Sequence, residues 1–247
     1  MTEEERFQLD LNGWLLIKGV LDEAEIAELN AIADERMPYK TGDPLDRRET
    51  VSTWHPATAR LIDHPRIHPY LVELVDSKYR LDHDYCIFMQ PGAAGGGLHG
   101  GPDHAGDHWY KVRHDGKIRN GLSVLTYFLT PAKAGDGGFL AVPGSHKSNF
   151  PHLLPRDVAQ LERRPHYVVQ PEVDAGDVLF FTEALIHGTA PWTAAHERRA
   201  LLFKYAPGNS AWLARYPVPA DYPFPLTDRQ KRILAPPSVG NRPDVDG

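Results

Sequence analysis

His99 stands in GGGLHGGPDHAGDHW, residues 95–109, with glycines on both sides. His187 follows 88 residues later in VLFFTEALIHGTAPW, directly after an apolar run, and Arg198 comes 11 residues after that, at the head of RRALLFKYAPG. Two neutral imidazoles on one face of a metal, usually joined by one carboxylate, leave positions open for cosubstrate and oxygen, which is what a non-haem Fe(II) oxygenase needs. An arginine suits the far end of a dicarboxylate cosubstrate such as 2-oxoglutarate, because its planar fork pairs with a carboxylate at two points. Two residues after His99, where that carboxylate ligand would sit, stands Gly101. Asp103 is the rival carboxylate if the loop accommodates two extra residues; Glu183, four before His187, is a weaker candidate, read rather as capping or packing near a strand end. His104, His108 and His114 read as loop or mouth residues. Arg199 is the neighbouring alternative to Arg198, since strand alternation turns only one of them inward.

Elements able to position these side chains follow from the apolar pattern. Ile26, Leu29 and Ile32 recur at helical spacing behind an acidic first turn, which predicts a helix over 22–35, and HPRIHPYLVELVD predicts another over 65–76. From Asp82 onward, short runs rich in Val, Phe, Tyr and Leu alternate with the turns PGAAGGG, AGDGG, VPGSH, DAGD and APG. Strands are expected over 85–90, 122–129, 138–142, 166–169, 178–181 and 200–205. Such strands at short spacing argue for a mainly β sandwich or jelly-roll barrel with N-terminal and flanking helices, in which residues distant in sequence converge at one barrel mouth.

The chain of 247 residues fits one domain: a helical part over about 1–80, a β core over about 82–212, and a proline-rich tail, 216–247, expected to fray beyond one short helix in LTDRQKRIL. A net charge of -6 implies no bulk attraction to nucleic acid. With Cys86 alone there is no internal disulfide or cysteine zinc site, and no signal segment or membrane-length apolar run is visible, so a cytoplasmic protein is expected.

The stretches GDGGFLAVPGSHK, DVLFFTEALIHGTAPW and RRALLFKY, together with His99, resemble the phytanoyl-CoA dioxygenase-like Fe(II)/2-oxoglutarate oxygenases over most of residues 10–212. The resemblance implies a cupin-like double-stranded β-helix (jelly roll), His99 and His187 as iron ligands, Arg198 as the 2-oxoglutarate anchor, and Thr126 as a further cosubstrate contact. Its usual H-x-D appears here as His99-Gly100-Gly101. Members with H-x-G are halogenases, so the departure implies Fe(II), 2-oxoglutarate, O2 and a chloride held beside Gly101 in place of the carboxylate. The expected product is chlorinated at an unactivated C–H bond. A narrower similarity, to nucleotide halogenases of nucleoside-antibiotic biosynthesis, implies a small anionic substrate such as 2'-deoxyadenosine monophosphate.

Other readings stand beside this one. Asp103 as ligand would make the chain a hydroxylase, and loss of metal would make it a silent jelly-roll binding protein. VPGSHK, 142–147, matches no phosphate-binding loop and is read as a turn shaping the mouth. KVRHDGKIR, 111–119, is by default a solvated hairpin, or a lid offering Lys111, Arg113, Lys117 or Arg119 to an anionic substrate. Trp109, Tyr110 and Phe150 could stack on a flat ring or simply pack.

Overall fold

A computed structural model of the chain describes residues 1–37, 45–102 and 104–247; Asp103, the rival carboxylate, lies outside them. The strands are β1 (Trp14–Ile17), β2 (Leu45–Glu49), β3 (Arg80–Met89), β4 (Gly96–His99), β5 (Tyr110–Val112), β6 (Ile118–Asn120), β7 (Ser123–Phe128), β8 (Gly138–Ala141), β9 (Val178–Thr182), β10 (His187–Ala190) and β11 (Arg198–Ala206). A six-stranded antiparallel sheet, ordered β1-β9-β7-β11-β3-β2, packs over a three-stranded one, β4-β10-β8, while β5 and β6 form a separate hairpin. This is the expected mainly β jelly roll, with helices attached.

Alternation sorts each strand of the large sheet into two faces. Leu201, Phe203 and Tyr205 of β11 join Leu125 and Tyr127 of β7 and Phe180 of β9 on the outer face. There they meet α2 (Glu23–Arg36) and α4 (His68–Leu74), which follow α1 (Glu3–Asn12) and the one-turn α3 (Pro56–Ala59). Tyr85, Met89, Val124, Phe128, Leu179, Phe181, Ala200 and Leu202 line the inner face, toward the small sheet. Burial of each such side chain contributes about 1.5–3 kcal/mol, so a slip of one residue that exchanged the faces would be strongly opposed. A third cluster, with Leu98, Leu140 and Ile186, backs the small sheet near α5 (Arg156–Ala159).

Helix ends follow local chemistry. Thr2 with Glu5 and Asp22 with Glu25 form reciprocal capping boxes on α1 and α2, and α1 stops at Gly13, whose φ of 80° suits glycine.

Several expectations are corrected. The N-terminal part is not purely helical, because β1 pairs with β9 from Trp14↔Phe181 to Ile17↔Val178; four residues are too few to show a period. The helix expected over 65–76 is confined to α4. Residues 166–169 form a turn with one isolated bridge, Val169 to Ala141, rather than a strand. The tail is pinned beyond its helix α6 (Asp228–Ile233): buried Arg242 donates to the carbonyls of Lys78, Tyr79, Arg232, Ile233, Ala235 and Pro236, and Val245 is fully buried. Among the described residues, no helix is long and apolar enough to cross a membrane.

Candidate metal and cosubstrate site

β10 pairs with β4 so that His187 and His99 are direct partners across the ladder, their ring centroids 4.4 Å apart. His187 is buried beside Phe181 and Phe139, with centroids 4.7 and 6.1 Å away. Its Nδ1 lies 2.8 Å from the Leu185 carbonyl, and His99 Nδ1 lies 3.1 Å from the Gly97 carbonyl. A carbonyl can only accept, so each Nδ1 carries the proton and each Nε2 is left with its lone pair, the arrangement a metal-binding imidazole requires. Burial pushes the pKa of His187 down to about 4, which keeps the ring neutral.

Arg198 opens β11 on the inner face, opposite Met89 of β3. Its guanidinium is buried, Nε has no partner, and Nη1 faces only the Met89 sulfur at 3.7 Å. Burial pushes its pKa down to about 10, so it remains charged at neutral pH. Gly138 of β8, with φ of 84°, gives it room: a Cβ there would stand 3.0 Å from Arg198 Nε. Gly138 pairs with Ala190 at one end of β10, and His187 lies three residues away at the other. That offset is about 10 Å at strand rise, a gap that a five-carbon diacid chelated at one end and ion-paired at the other can bridge. Arg199 instead turns outward to Glu197 and Asp34, each within 2.7 Å. Thr126 lies buried on the inner row of β7 with Val124 and Phe128.

One buried group had only weak support in the sequence. Glu183 follows β9, and the turn over 183–186 folds its carboxylate back on His187: Oε2 lies 4.0 Å from His187 Nε2 and 3.9 Å from His108 Nε2. Oε1 lies 2.6 Å from Lys204 Nζ, which projects from the inner row of β11. Burial opposes ionisation of Glu183, but the charges of His187 and Lys204 outweigh it and hold the pKa at about 2; at neutral pH the lasting contribution is that of Lys204. A signal existed in the sequence, an acid four residues before His187, but apolar residues around it read as packing. Among the described residues, no group of three or more His, Cys, Asp or Glu side chains is already gathered to hold a metal ion. The two histidines therefore form a pair, with Glu183 standing off by one bond length or so.

Gly100 and Gly101 both have positive φ, 88° and 112°. A Cβ on Gly100 would strike the Leu185 carbonyl at 2.6 Å and the Glu183 carbonyl at 3.0 Å. A Cβ on Gly101 would face Pro151 and Ile186, the apolar backing of the small sheet. These glycines let the loop after His99 close against the 183–186 turn.

A cavity of about 800 Å³ opens on His99 and Lys204 and is walled by Arg47, His83, Tyr85, Trp212 and Arg215, among others. Asp82 organises its rim, accepting from Trp212 N at 2.8 Å while pairing with Arg80 and His83. The residues expected to touch substrate stand elsewhere. Lys111 packs over Trp109, Arg113 lies 4.0 Å from Asp115, and Arg119 donates to the Glu73 carbonyl, none of them lining this cavity. Lys117 lines a separate cleft with Arg6, and exposed Phe150 lines another with Pro151. His108, by contrast, is buried and stacks between His104 and Trp212.

A model of the family described as Phytanoyl-CoA dioxygenase (PhyH) matches residues 9–200. No curated protein matches the chain. Among solved structures, HygX from Streptomyces hygroscopicus with nickel and 2-oxoglutarate bound is 26% identical, covering 84% of this chain and 87% of that one, with a TM-score of 0.77. The same protein with nickel, 2-oxoglutarate and hygromycin B bound is 27% identical over 84% and 88%, with a TM-score of 0.74. The non-heme alpha ketoglutarate dependent carbocyclase SnoK from nogalamycin biosynthesis, 18% identical over 85% of each chain with a TM-score of 0.63, shares the fold.

Proposed function

The chain belongs to the phytanoyl-CoA dioxygenase (PhyH) family of Fe(II)/2-oxoglutarate-dependent oxygenases, and from that premise we propose that it oxidises a C–H bond of a small polar molecule, with His99 and His187 holding iron and Arg198 the far carboxylate of 2-oxoglutarate. The observation that carries this is Arg198: a buried guanidinium without a carboxylate partner among the described residues, beneath a pair of imidazoles that both offer Nε2. A buried charge left unpaired destabilises a fold, which makes sense where a ligand is to pair with it.

When bound, iron and 2-oxoglutarate supply the oxidising chemistry, in which O2 and 2-oxoglutarate give succinate, CO2 and one oxygen atom inserted into the C–H bond. The protein's part is positional. The Leu185 and Gly97 carbonyls hold the two rings in one tautomer, Phe139 and Phe181 exclude water around His187, and Arg198 fixes the direction of the diacid. The cavity beside His99 then sets which carbon of the substrate is presented.

Chlorination at a vacancy beside Gly101 is the second reading, and the missing side chain at 101 favours it. Oxygenation has the better geometric support: Glu183 already supplies a buried negative charge 4.0 Å from His187, and the side-chain direction at Gly101 runs toward Pro151 and Ile186. For substrate, a mixed wall of Arg47, Arg215, Asp84 and Asp221 with Tyr85 and Trp212 fits a polar molecule carrying several groups. HygX, whose structure holds hygromycin B, is a precedent for such a substrate. A nucleotide such as 2'-deoxyadenosine monophosphate is a narrower choice that rests on chain length, the His99-Gly100-Gly101 triplet and the basic hairpin with its aromatics.

The test loads the protein with Fe(II) and 2-oxoglutarate without oxygen, then adds O2 and a panel of aminocyclitol glycosides and nucleotides, with and without chloride, measuring succinate and product mass. The expected result is succinate coupled to a product heavier by one oxygen in both media. A chlorinated product would establish the second reading, and no succinate with any addition would refute both.

A further inference from the structure

We propose that Glu183 is the carboxylate ligand of this site, so that the metal is held by His99, His187 and Glu183, with the acid arriving four residues before the distal histidine instead of two after the proximal one. The inference rests on the reading of His99 and His187 as metal ligands. It explains three observations that otherwise have no common cause.

The first is the turn itself. Glu183 N donates to the Leu122 carbonyl and Leu185 N to the Thr182 carbonyl, both at 2.9 Å, and these bonds hold the acid on the same side as the His187 ring it faces. Two donors about 2.1 Å from one ion, at right angles, stand about 3 Å apart. The 4.0 Å between Oε2 and Nε2 is about 1 Å longer than that, so a shift of about 1 Å by the carboxylate would bring both onto one ion. The second is Lys204, a largely buried ammonium paired with the other oxygen, Oε1, at 2.6 Å. One oxygen is thus anchored by a cation and the other left facing His187, with His108 also near it at 3.9 Å, the outer-shell support that orients a ligating carboxylate. The third is the double glycine. Gly100 can have no Cβ because the turn carrying Glu183 passes there, with the Leu185 and Glu183 carbonyls 2.6 and 3.0 Å from where it would be. The loop that lacks the usual aspartate is the loop cut back to admit another acid.

Anaerobic titration of the full chain with Co(II), followed by its visible spectrum and by calorimetry, tests this without turnover. Because Glu183→Gln leaves Lys204 buried and unpaired, the paired variant Glu183→Gln/Lys204→Met, which removes both charges, is measured beside it. Both should bind Co(II) at least about 100-fold more weakly than the parent chain, beyond the 10–100-fold expected of an outer-shell group. In Glu183→Ala, acetate should restore part of the affinity and change the Co(II) spectrum, which a purely structural role would not produce. Parent-like affinity and spectrum in a folded variant would overturn the proposal while leaving the two histidines intact as ligands. Failure of the parent chain to bind Co(II), and its indifference to His187→Ala, would overturn the underlying reading instead.

Discussion

Replacing Arg198 by methionine should stabilise the protein without cosubstrate and abolish its response to 2-oxoglutarate. The side chains are similar in length, and the Arg198→Met variant would keep the contact with Met89 and the inner-face cluster while losing a charge whose Nε has no partner. Burial that pushes the guanidinium pKa down to about 10 corresponds to about 3 kcal/mol against the charged form. Removing that charge therefore raises stability at neutral pH by up to about 3 kcal/mol, several degrees in Tm for a chain of this size. The opposite holds with cosubstrate. Truncating one partner of a buried, hydrogen-bonded charge pair weakens binding by about 2–5 kcal/mol, roughly 30-fold to several thousand-fold. Scanning fluorimetry shows both effects: at 100 times Kd, 2-oxoglutarate stabilises the parent by about 2.7 kcal/mol, and the variant should show almost none. A variant less stable than the parent, yet binding 2-oxoglutarate within threefold of it, would refute the assignment of Arg198.

Three further outcomes are expected. Gly101→Asp should lose stability and gain no metal affinity, because its φ of 112° strains a side chain that would face Pro151 and Ile186; tighter Co(II) binding by this variant would contradict that geometry. His146 is buried against Tyr110 with neither ring nitrogen partnered, and burial pushes its pKa down to about 4. The unfolded chain, with histidine near 6.5, therefore binds more protons between about pH 6.5 and 4, so stability falls as pH drops through that window. His146→Phe should lessen the fall, leaving the part due to the other buried histidines, His64, His108 and His187, and chemical unfolding at pH 7.5 and 5 measures the difference. Arg242→Ala should destabilise the chain by about 2–4 kcal/mol through the loss of its carbonyl partners, read as a lower urea midpoint.

Alternation said in advance that only one of Arg198 and Arg199 turns inward, but not which; the register of β11 decides it, with Arg199 turned out to Asp34. The long apolar strands around Val124, Phe180 and Leu202 were legible for the same reason. Strands such as GGLH and HGTA carry too little apolar content to announce themselves, although they hold both histidines. Glu183 was harder still, because its partners Lys204 and His108 come together only through the fold. Charge in sequence could not say which cavity the basic hairpin would line; Lys117 and Arg119 line a cleft with Arg6. The tail reads as fraying from its prolines, and tertiary contacts order it: Arg242 on the Lys78 and Tyr79 carbonyls, Val245 N on the Ser77 carbonyl and Asp246 beside His68.

The most direct test of where this site binds metal is a crystal structure of the full chain with Ni(II) and 2-oxoglutarate, the metal located by its anomalous scattering. The metal is expected against His99 Nε2, His187 Nε2 and a Glu183 oxygen, with the far carboxylate of 2-oxoglutarate on Arg198. Asp103 as the ligand, a halide beside Gly101 with Glu183 still apart, or a metal remote from His187 would contradict this placement.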